Sequence, residues 1–149
     1  MIEAVDWRDH DAFFATCSRL LEPDGLMALQ AIVIDDKAFD RSKHDEDFIK
    51  RFVSPGGCLP SVESIVRSAT RRDLRVVELR DIGANYPETL RRWRANVDEH
   101  RDAVRALGLG PTFSRLWMLY LRYCEAAFLE RRVSDVQVVL AKPAWRPAA

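Results

Sequence analysis

Between Phe52 and Ser61 the chain reads Phe52-Val53-Ser54-Pro55-Gly56-Gly57-Cys58-Leu59-Pro60-Ser61, and no other stretch restricts the backbone so tightly. Proline fixes its own φ, whereas glycine reaches torsions that other residues avoid. Pro55-Gly56-Gly57 therefore specifies a shaped turn rather than a slack linker. A second constrained stretch, Asn85-Tyr86-Pro87-Glu88-Thr89-Leu90-Arg91-Arg92-Trp93, puts proline where the first turn of a helix tolerates it. No Gly-x-Gly loop follows a strand anywhere, so no segment is shaped to cradle a nucleotide-like cofactor and no cofactor-binding residues are expected in this chain.

A chain of 149 residues can bury a real core, and 48% hydrophobic content is ordinary for one soluble globular domain. The 23 basic and 23 acidic residues cancel and the pI is 6.8, without the basic footprint that nucleic-acid binding requires, so no nucleic-acid partner is expected. Cys17, Cys58 and Cys124 are widely spaced and odd in number. That usage fits a reducing, cytoplasmic setting better than a disulfide framework or a zinc site, and no metal is expected. No charged leader precedes an apolar run, and no apolar segment is long enough to cross a bilayer. Membrane contact is therefore expected to be peripheral.

Asp9 or Asp11 can cap a helix carrying Phe13, Phe14, Cys17, Leu20 and Leu21 at helical spacing, stopped by Pro23-Asp24-Gly25. Leu26 to Ile34 is an apolar run interrupted by Gln30, the pattern of a strand covered on both faces, and reads as the central strand. Lys37 to Val53, anchored by Phe39, Phe48, Ile49 and Phe52, reads as a loop becoming a helix. Ser61 can cap a helix running through Glu63 and Ile65 to Ala69, and Leu74 to Leu79 reads as a strand. A helix from Pro87 is expected to turn Leu90, Trp93, Val97, Val104 and Leu107 inward before Gly108 and Gly110 break it. From Phe113, the residues Leu116, Trp117, Tyr120, Leu121, Cys124, Ala127 and Phe128 form one apolar stripe, with Arg115, Arg122 and Glu125 off it. Val136 to Leu140 is a last strand, and Pro143 with Trp145-Arg146-Pro147 ends the fold. His10, His44 and His100 stand in charged surroundings and read as solvated surface. Arg91-Arg92 and Arg131-Arg132 read as solvated helix faces, although anionic headgroups leave a membrane role open.

This alternation of strands and helices is an α/β architecture, a sheet between helical layers. Met1-Ile2-Glu3-Ala4-Val5 holds just enough residues for the tail of a strand. Open parallel sheets carry their ligand site beyond the carboxyl ends of the strands, and Glu3 and Gln30 both fall near such ends.

Over nearly its whole length the chain resembles the C-terminal half of the cyclopropane-fatty-acyl-phospholipid synthase family, which includes the mycolic acid cyclopropane synthases. The residues that carry the resemblance are Met1-Ile2-Glu3-Ala4-Val5, Leu29-Gln30-Ala31-Ile32, Asp47-Phe48-Ile49, Pro55 to Ser61, Tyr86 with Thr89-Leu90 and Trp93, and the helix Trp117 to Phe128. The resemblance implies an α/β fold, the class I (Rossmann-like) S-adenosylmethionine-dependent methyltransferase domain, three-layered with helical insertions. It implies that the three predicted strands are the last of a seven-stranded sheet, the final one antiparallel. Residues 1–143 are then a partial methyltransferase domain and 144–149 a tail. The cofactor loop, the adenine-binding segment and a lipid-contacting helix are expected upstream.

The implied chemistry is methyl transfer from S-adenosylmethionine to a cis double bond of an unsaturated acyl phospholipid, reached peripherally at the membrane surface. Transfer leaves a carbocation, and ring closure requires loss of a proton from the new methyl group. The family's base is attributed to bicarbonate, held by a glutamate, a histidine, a tyrosine and backbone groups. Matched position by position, these fall on Glu3, Gln30, Tyr86 and the backbone of Ile32. Glutamine in place of histidine is a departure: it donates and accepts hydrogen bonds but carries no charge, so it holds an anion more weakly. Cyclopropane and methyl-branched products both stay open. Phe113, Trp117, Tyr120 or Tyr123 can supply aromatic faces to a dry, cation-tolerant acyl pocket.

Plain structural readings compete at each position. Glu3 alone is an ordinary acid near the N-terminus, Gln30 is a site residue or a core amide with its partners, and Tyr86 is a site phenol or a packing residue. The stripe from Phe113 to Phe128 is mostly core, and Cys58 and Cys124 read as inert buried thiols. The isolated chain, lacking the cofactor loop, is expected to be inactive. It reads as the substrate-side half of a lipid methylase that partners an N-terminal half polypeptide. The alternative is a non-catalytic remnant or interaction module that self-associates through an exposed sheet edge.

Overall fold

A computed structural model describes residues 1–147; the last two residues of the expected 144–149 tail lie outside the described residues. The chain forms two compact units, one of Met1–Ile82 with Ser134–Ala149 and one of Gly83–Val133.

The first unit is built on a three-stranded sheet ordered β1-β3-β2, with β1 at Leu26–Ile34, β2 at Arg75–Asp81 and β3 at Val133–Ala141. The final strand is antiparallel, as expected. It pairs with β2 from Arg75↔Ala141 to Asp81↔Val136, with a bulge between Val76 and Glu78. Its direction against β1 is the same: Lys142 N–H meets the Gly25 carbonyl, while Gln30, farther along β1, meets Asp135 and Gln137. The apolar core lies on one face of this sheet. Leu29, Ala31 and Val33 of β1 and Val136, Val138 and Leu140 of β3 join Ile2, Phe14, Ile65, Ala69 and Leu74 in one buried cluster. Helices α1 (His10–Leu20) and α4 (Val62–Thr70) pack together there. The capping box at α4 is complete, because Ser61 and Ser64 each accept the other's backbone N–H. Two short helices, α2 (Asp36–Ser42) and α3 (Phe48–Phe52), occupy the region read as a loop becoming a helix.

Four expectations are corrected in this unit. β3, not β1, is the middle strand among the described residues. β1 alternates rather than being covered on both faces, since Leu26, Ala28 and Gln30 are exposed between its buried positions. An apolar run reports hydrophobicity but not the number of neighbouring layers. His10 is not solvated: it is 3% exposed, although Asp6, Asp9 and Asp11 stand close enough to act on its ring. Leu20 in turn is exposed at the end of α1.

The second unit is helical: α5 (Tyr86–Glu99), α6 (Arg101–Ala106) and α7 (Pro111–Leu129), with α5 packed on α7. The single helix expected from Pro87 to Leu107 breaks at His100, whose φ of −100° and ψ of 25° leave the helical region. The break rotates the later residues out of register, and Leu107, expected inward, is 78% exposed; Trp93, also expected inward, lies before the break and is 50% exposed. On α7, Leu121 and Phe128 are buried, with Leu116, Trp117, Tyr120, Cys124 and Ala127 partly so, as the stripe predicts. Glu125, expected off the stripe, is instead 12% exposed and ion-paired to Arg94 at 3.1 Å. Among the described residues no helix is long and apolar enough to cross a membrane.

Candidate active site

Glu3 lies in a short 3-10 turn, Ile2–Ala4, nailed down by Ile2, which is fully buried in the core. Its carbonyl oxygen accepts the Cys58 N–H at 2.8 Å, so the Pro-Gly-Gly turn is set directly against the glutamate's backbone. Gly56 has φ +80°, a torsion that favours glycine. At Gly57 a Cβ would stand 2.8 Å from Ser54 Oγ and 3.2 Å from the Glu3 carbonyl oxygen, so the close approach requires its absence.

From that anchor the Glu3 side chain reaches β1, where Oε1 accepts the backbone N–H of Ile32 at 2.8 Å. Oε2 is ion-paired with the Met1 ammonium at 2.5 Å. Burial pushes the Glu3 carboxyl upward, but hydrogen bonds from that ammonium and from the backbone N–H groups of Glu3 and Ile32 outweigh it, and the net shift is downward. The group is ionised at neutral pH, and the stability it contributes is lost as pH falls through its depressed folded value.

Gln30 stands two residues before Ile32, hence on the same face of β1. It is exposed, not the core amide of the alternative reading. Its Nε2 donates to Asp135 Oδ2 at 2.7 Å and its Oε1 accepts from Gln137 Nε2 at 3.1 Å. Asp135 is 1% exposed. Sequence reading missed both partners: it began the last strand at Val136, leaving Asp135 outside, and gave Gln137 within the strand no role. The signal was present: Asp135 and Gln137 alternate with the apolar Val136 and Val138, which assigns them to the opposite face, the face of Gln30.

Tyr86 belongs to the helical unit. It opens α5 and stacks on Phe128, centroids 4.5 Å apart and planes at 14°. The expected acyl-contacting residues form a row on α7: Phe113 stacks on Trp117 at 5.9 Å, and Trp117 meets Tyr120 at 5.0 Å. Burial pushes the Tyr120 phenol upward, helped by its bond to Cys124 and by Tyr86 nearby, so it is protonated at neutral pH. Burial also raises the Cys58 and Cys124 thiols, consistent with inert packing residues. A cavity of about 280 Å³ lies between α5, α6 and α7, lined by Val97, Arg101, Val104, Arg105, Arg115 and Met118 among others, and by none of the aromatic row. No group of His, Cys, Asp and Glu among the described residues is arranged to hold a metal ion.

The family described as mycolic acid cyclopropane synthetase matches residues 1–138. The tuberculostearic acid methyltransferase UfaA1 of Mycobacterium tuberculosis is 37% identical over 129 residues, covering 86% of this chain and 30% of the relative. The cyclopropane-fatty-acyl-phospholipid synthase of Escherichia coli K12 is 30% identical over 142 residues, 95% of this chain and 36% of the relative. The chain thus spans about a third of the length of these relatives. Among solved structures, the cyclopropane synthase MmaA2 of Mycobacterium tuberculosis superposes with TM-score 0.84 at 22% identity, covering 95% of this chain and 53% of that one. The mycolic acid cyclopropane synthase CmaA1, solved with SAH and CTAB, gives TM-score 0.84 at 25% identity over 95% of this chain and 52% of that one. The sheet order, the antiparallel last strand and the helices described above are accordingly part of a class I methyltransferase fold. By the family match and by relatives aligned across most of its length, the chain belongs to the mycolic acid cyclopropane synthetase family.

Proposed function

We propose that the chain is the acyl-substrate side of an S-adenosylmethionine-dependent enzyme that methylates the cis double bond of unsaturated fatty acyl chains in phospholipids at the membrane surface. One observation carries the reading. Glu3 and Ile32, far apart in sequence and assigned by the resemblance to one bicarbonate, are in direct contact at 2.8 Å through the Ile32 backbone N–H, two residues along β1 from Gln30. The donor set fits an anion that also carries a hydroxyl: an ionised carboxylate accepts the hydroxyl proton, and an uncharged amide N–H donates to the anionic oxygens. S-adenosylmethionine, when bound, supplies the methyl group, and bicarbonate, when bound, supplies the base for ring closure. Glu3 and Gln30 hold and orient that base, Ile32 fixes Glu3 through its N–H, and Tyr86 is a fourth contact by resemblance alone. The half-buried row Phe113, Trp117 and Tyr120 offers ring faces and no strong nucleophile, a lining suited to an acyl chain passing through a carbocation.

The product divides two forms of this reading. UfaA1, at 37% identity, is named for tuberculostearic acid, whereas the Escherichia coli relative is named a cyclopropane synthase. An uncharged Gln30 holds the base less firmly than imidazolium would, which favours loss of a proton from a carbon neighbouring the cation, leaving a methyl-branched chain that keeps a double bond, over closure of the ring. The test joins this chain to the preceding part of the Escherichia coli relative and follows labelled methyl from S-adenosylmethionine into oleoyl phospholipid vesicles, with products separated by mass spectrometry. Methylated acyl chains are expected, and Glu3→Gln should lower the rate by about 100-fold or more. A hybrid that binds S-adenosylmethionine yet labels no acyl chain removes the reading.

A second reading, a non-catalytic module that pairs through its sheet edge, is favoured by the exposure of Val77 and Leu79, 43% and 42%, on β2. The bulge in β2 and the charges of Arg75, Glu78 and Arg80 oppose it, being the usual protection of a free edge. A monomer by light scattering across a wide concentration range disposes of it.

A further inference from the structure

Gln30 is exposed, yet both ends of its amide are already engaged by β3. We infer that Asp135 and Gln137 are positioning residues that lock the Gln30 amide in one of its two orientations, leaving an N–H rather than the carbonyl to meet an anion. The inference rests on the bicarbonate reading of Gln30 and adds to it the residues that make an uncharged side chain an anion donor.

A glutamine amide can rotate by half a turn at little intrinsic expense, and the two orientations present opposite hydrogen-bonding character at the same place. Solvated and alone, Gln30 would offer an anion a donor or a repelling carbonyl with comparable ease. One neighbour removes that ambiguity and a second reinforces it. The Asp135 carboxylate only accepts, so the nitrogen must face it, and the observed separation is 2.7 Å. Turning the amide over would press Oε1 against Oδ2, two acceptors with no proton between them. Gln137 Nε2 donates to Oε1 at 3.1 Å in that orientation, its own amide following the one that Asp135 sets. Asp135 is 1% exposed, so water is excluded from competing for its carboxylate. Nε2 carries two hydrogens and only one is used by Asp135; the other is left on an exposed side chain two residues along β1 from Ile32, whose N–H holds Glu3. The donor that a histidine would present from an imidazole is thereby reproduced by an amide whose orientation the sheet enforces.

The test is nuclear magnetic resonance on the 149-residue chain itself, following the two side-chain amide protons of Gln30, assigned by their absence in Gln30→Met. A locked amide gives two widely separated proton signals, the one facing Asp135 displaced downfield and slow to exchange. Asp135→Asn, which offers either an oxygen or an NH2, and Gln137→Met, which removes the second partner without touching Asp135, should each bring the pair toward free-amide positions. Sodium bicarbonate, titrated against sodium nitrate at constant ionic strength, should move only the outward proton, with about a tenfold weaker midpoint in Asp135→Asn, the loss expected when one directing hydrogen bond is removed. A pair at free-amide positions in the unmodified protein overturns the orientation, as does a pair unchanged in both folded variants. A well-separated pair that bicarbonate leaves still overturns the anion reading instead, so the two failures are distinguishable.

Discussion

The sheet unit and the helical unit solve the burial problem differently. In the first, eleven side chains from helices and strands close one apolar cluster, and the polar residues Gln30, Asp135 and Gln137 are gathered on the opposite face of the same strands. In the second, two helices share few fully buried residues, chiefly Leu90, Leu121 and Phe128, while Trp93, Leu107, Leu119 and Leu129 stay exposed. A partly buried ion pair, Arg94 with Glu125, sits between α5 and α7, whereas the apolar cluster of the first unit includes no charged side chain. A strand offers two faces with opposite assignments, so a dry core and a polar site can be a few ångströms apart; a helix pair has one seam, and its aromatic row must serve packing and any ligand together.

The sharpest way to break this contrast is truncation at matched sites. Phe14→Ala in the fully buried cluster should lower unfolding free energy by about 3–5 kcal/mol, whereas Leu119→Ala, at 53% exposure, should change it by less than about 0.5 kcal/mol. Urea denaturation followed by circular dichroism reads both, and equal losses would abolish the distinction between the units.

Next in size is the turn that seats Glu3. Gly57→Ala forces a Cβ into Ser54 and the Glu3 carbonyl, and should cost about 1–3 kcal/mol while shifting the Ile32 amide resonance. An Ile32 amide that does not move would mean that the turn and the carboxylate are mechanically independent.

In the helical unit, Glu125→Ala leaves Arg94 without its partner, and the Arg94 Nε already has none. Because both side chains keep some solvent exposure, the expected loss is about 1–2 kcal/mol rather than the larger figure for fully buried pairs. Glu125→Met regaining the original stability would identify the pair as a device of specificity, while Glu125→Ala without loss would remove it from the packing.

The smallest effect concerns pH. Burial lowers the His10 pKa, opposed by its bond to the Val5 carbonyl and by the charges of Asp6, Asp11 and Asp9. The unfolded chain therefore binds a proton that the folded one does not, between the depressed value and the ordinary one of about 6.5. Stability is full above that ordinary value and declines as pH falls through the folded one. Melting temperatures across this window should slope downward with acidification in the natural sequence and flatten in His10→Gln. An equal slope in the variant would assign the titration elsewhere.

Legibility in the sequence followed the range of the forces involved. The helix cap at Ser61, the Pro-Gly-Gly turn and the stripe from Leu116 to Phe128 depend on neighbours in the chain, and each stands where it was read. The break at His100 escaped, because no glycine or proline marks it and the apolar spacing continues across it. His10 escaped for a related reason: nearby acidic letters suggested solvent, but helical phase turns His10 inward even with those carboxylates close to its ring. The Asp135 and Gln137 pairing with Gln30 joins positions more than a hundred residues apart; local alternation assigns their face but not the strand they meet.

What the sequence determined by itself was periodicity, turn chemistry and family, all set by residues close together or by matched motifs. Only the tertiary structure decided that β3 lies between β1 and β2, that Glu3 is held by Ile32 and Cys58, and that a buried carboxylate directs the Gln30 amide. The physical reason is that hydrogen bonds between distant strands obey register and face, quantities that exist only once the sheet has closed.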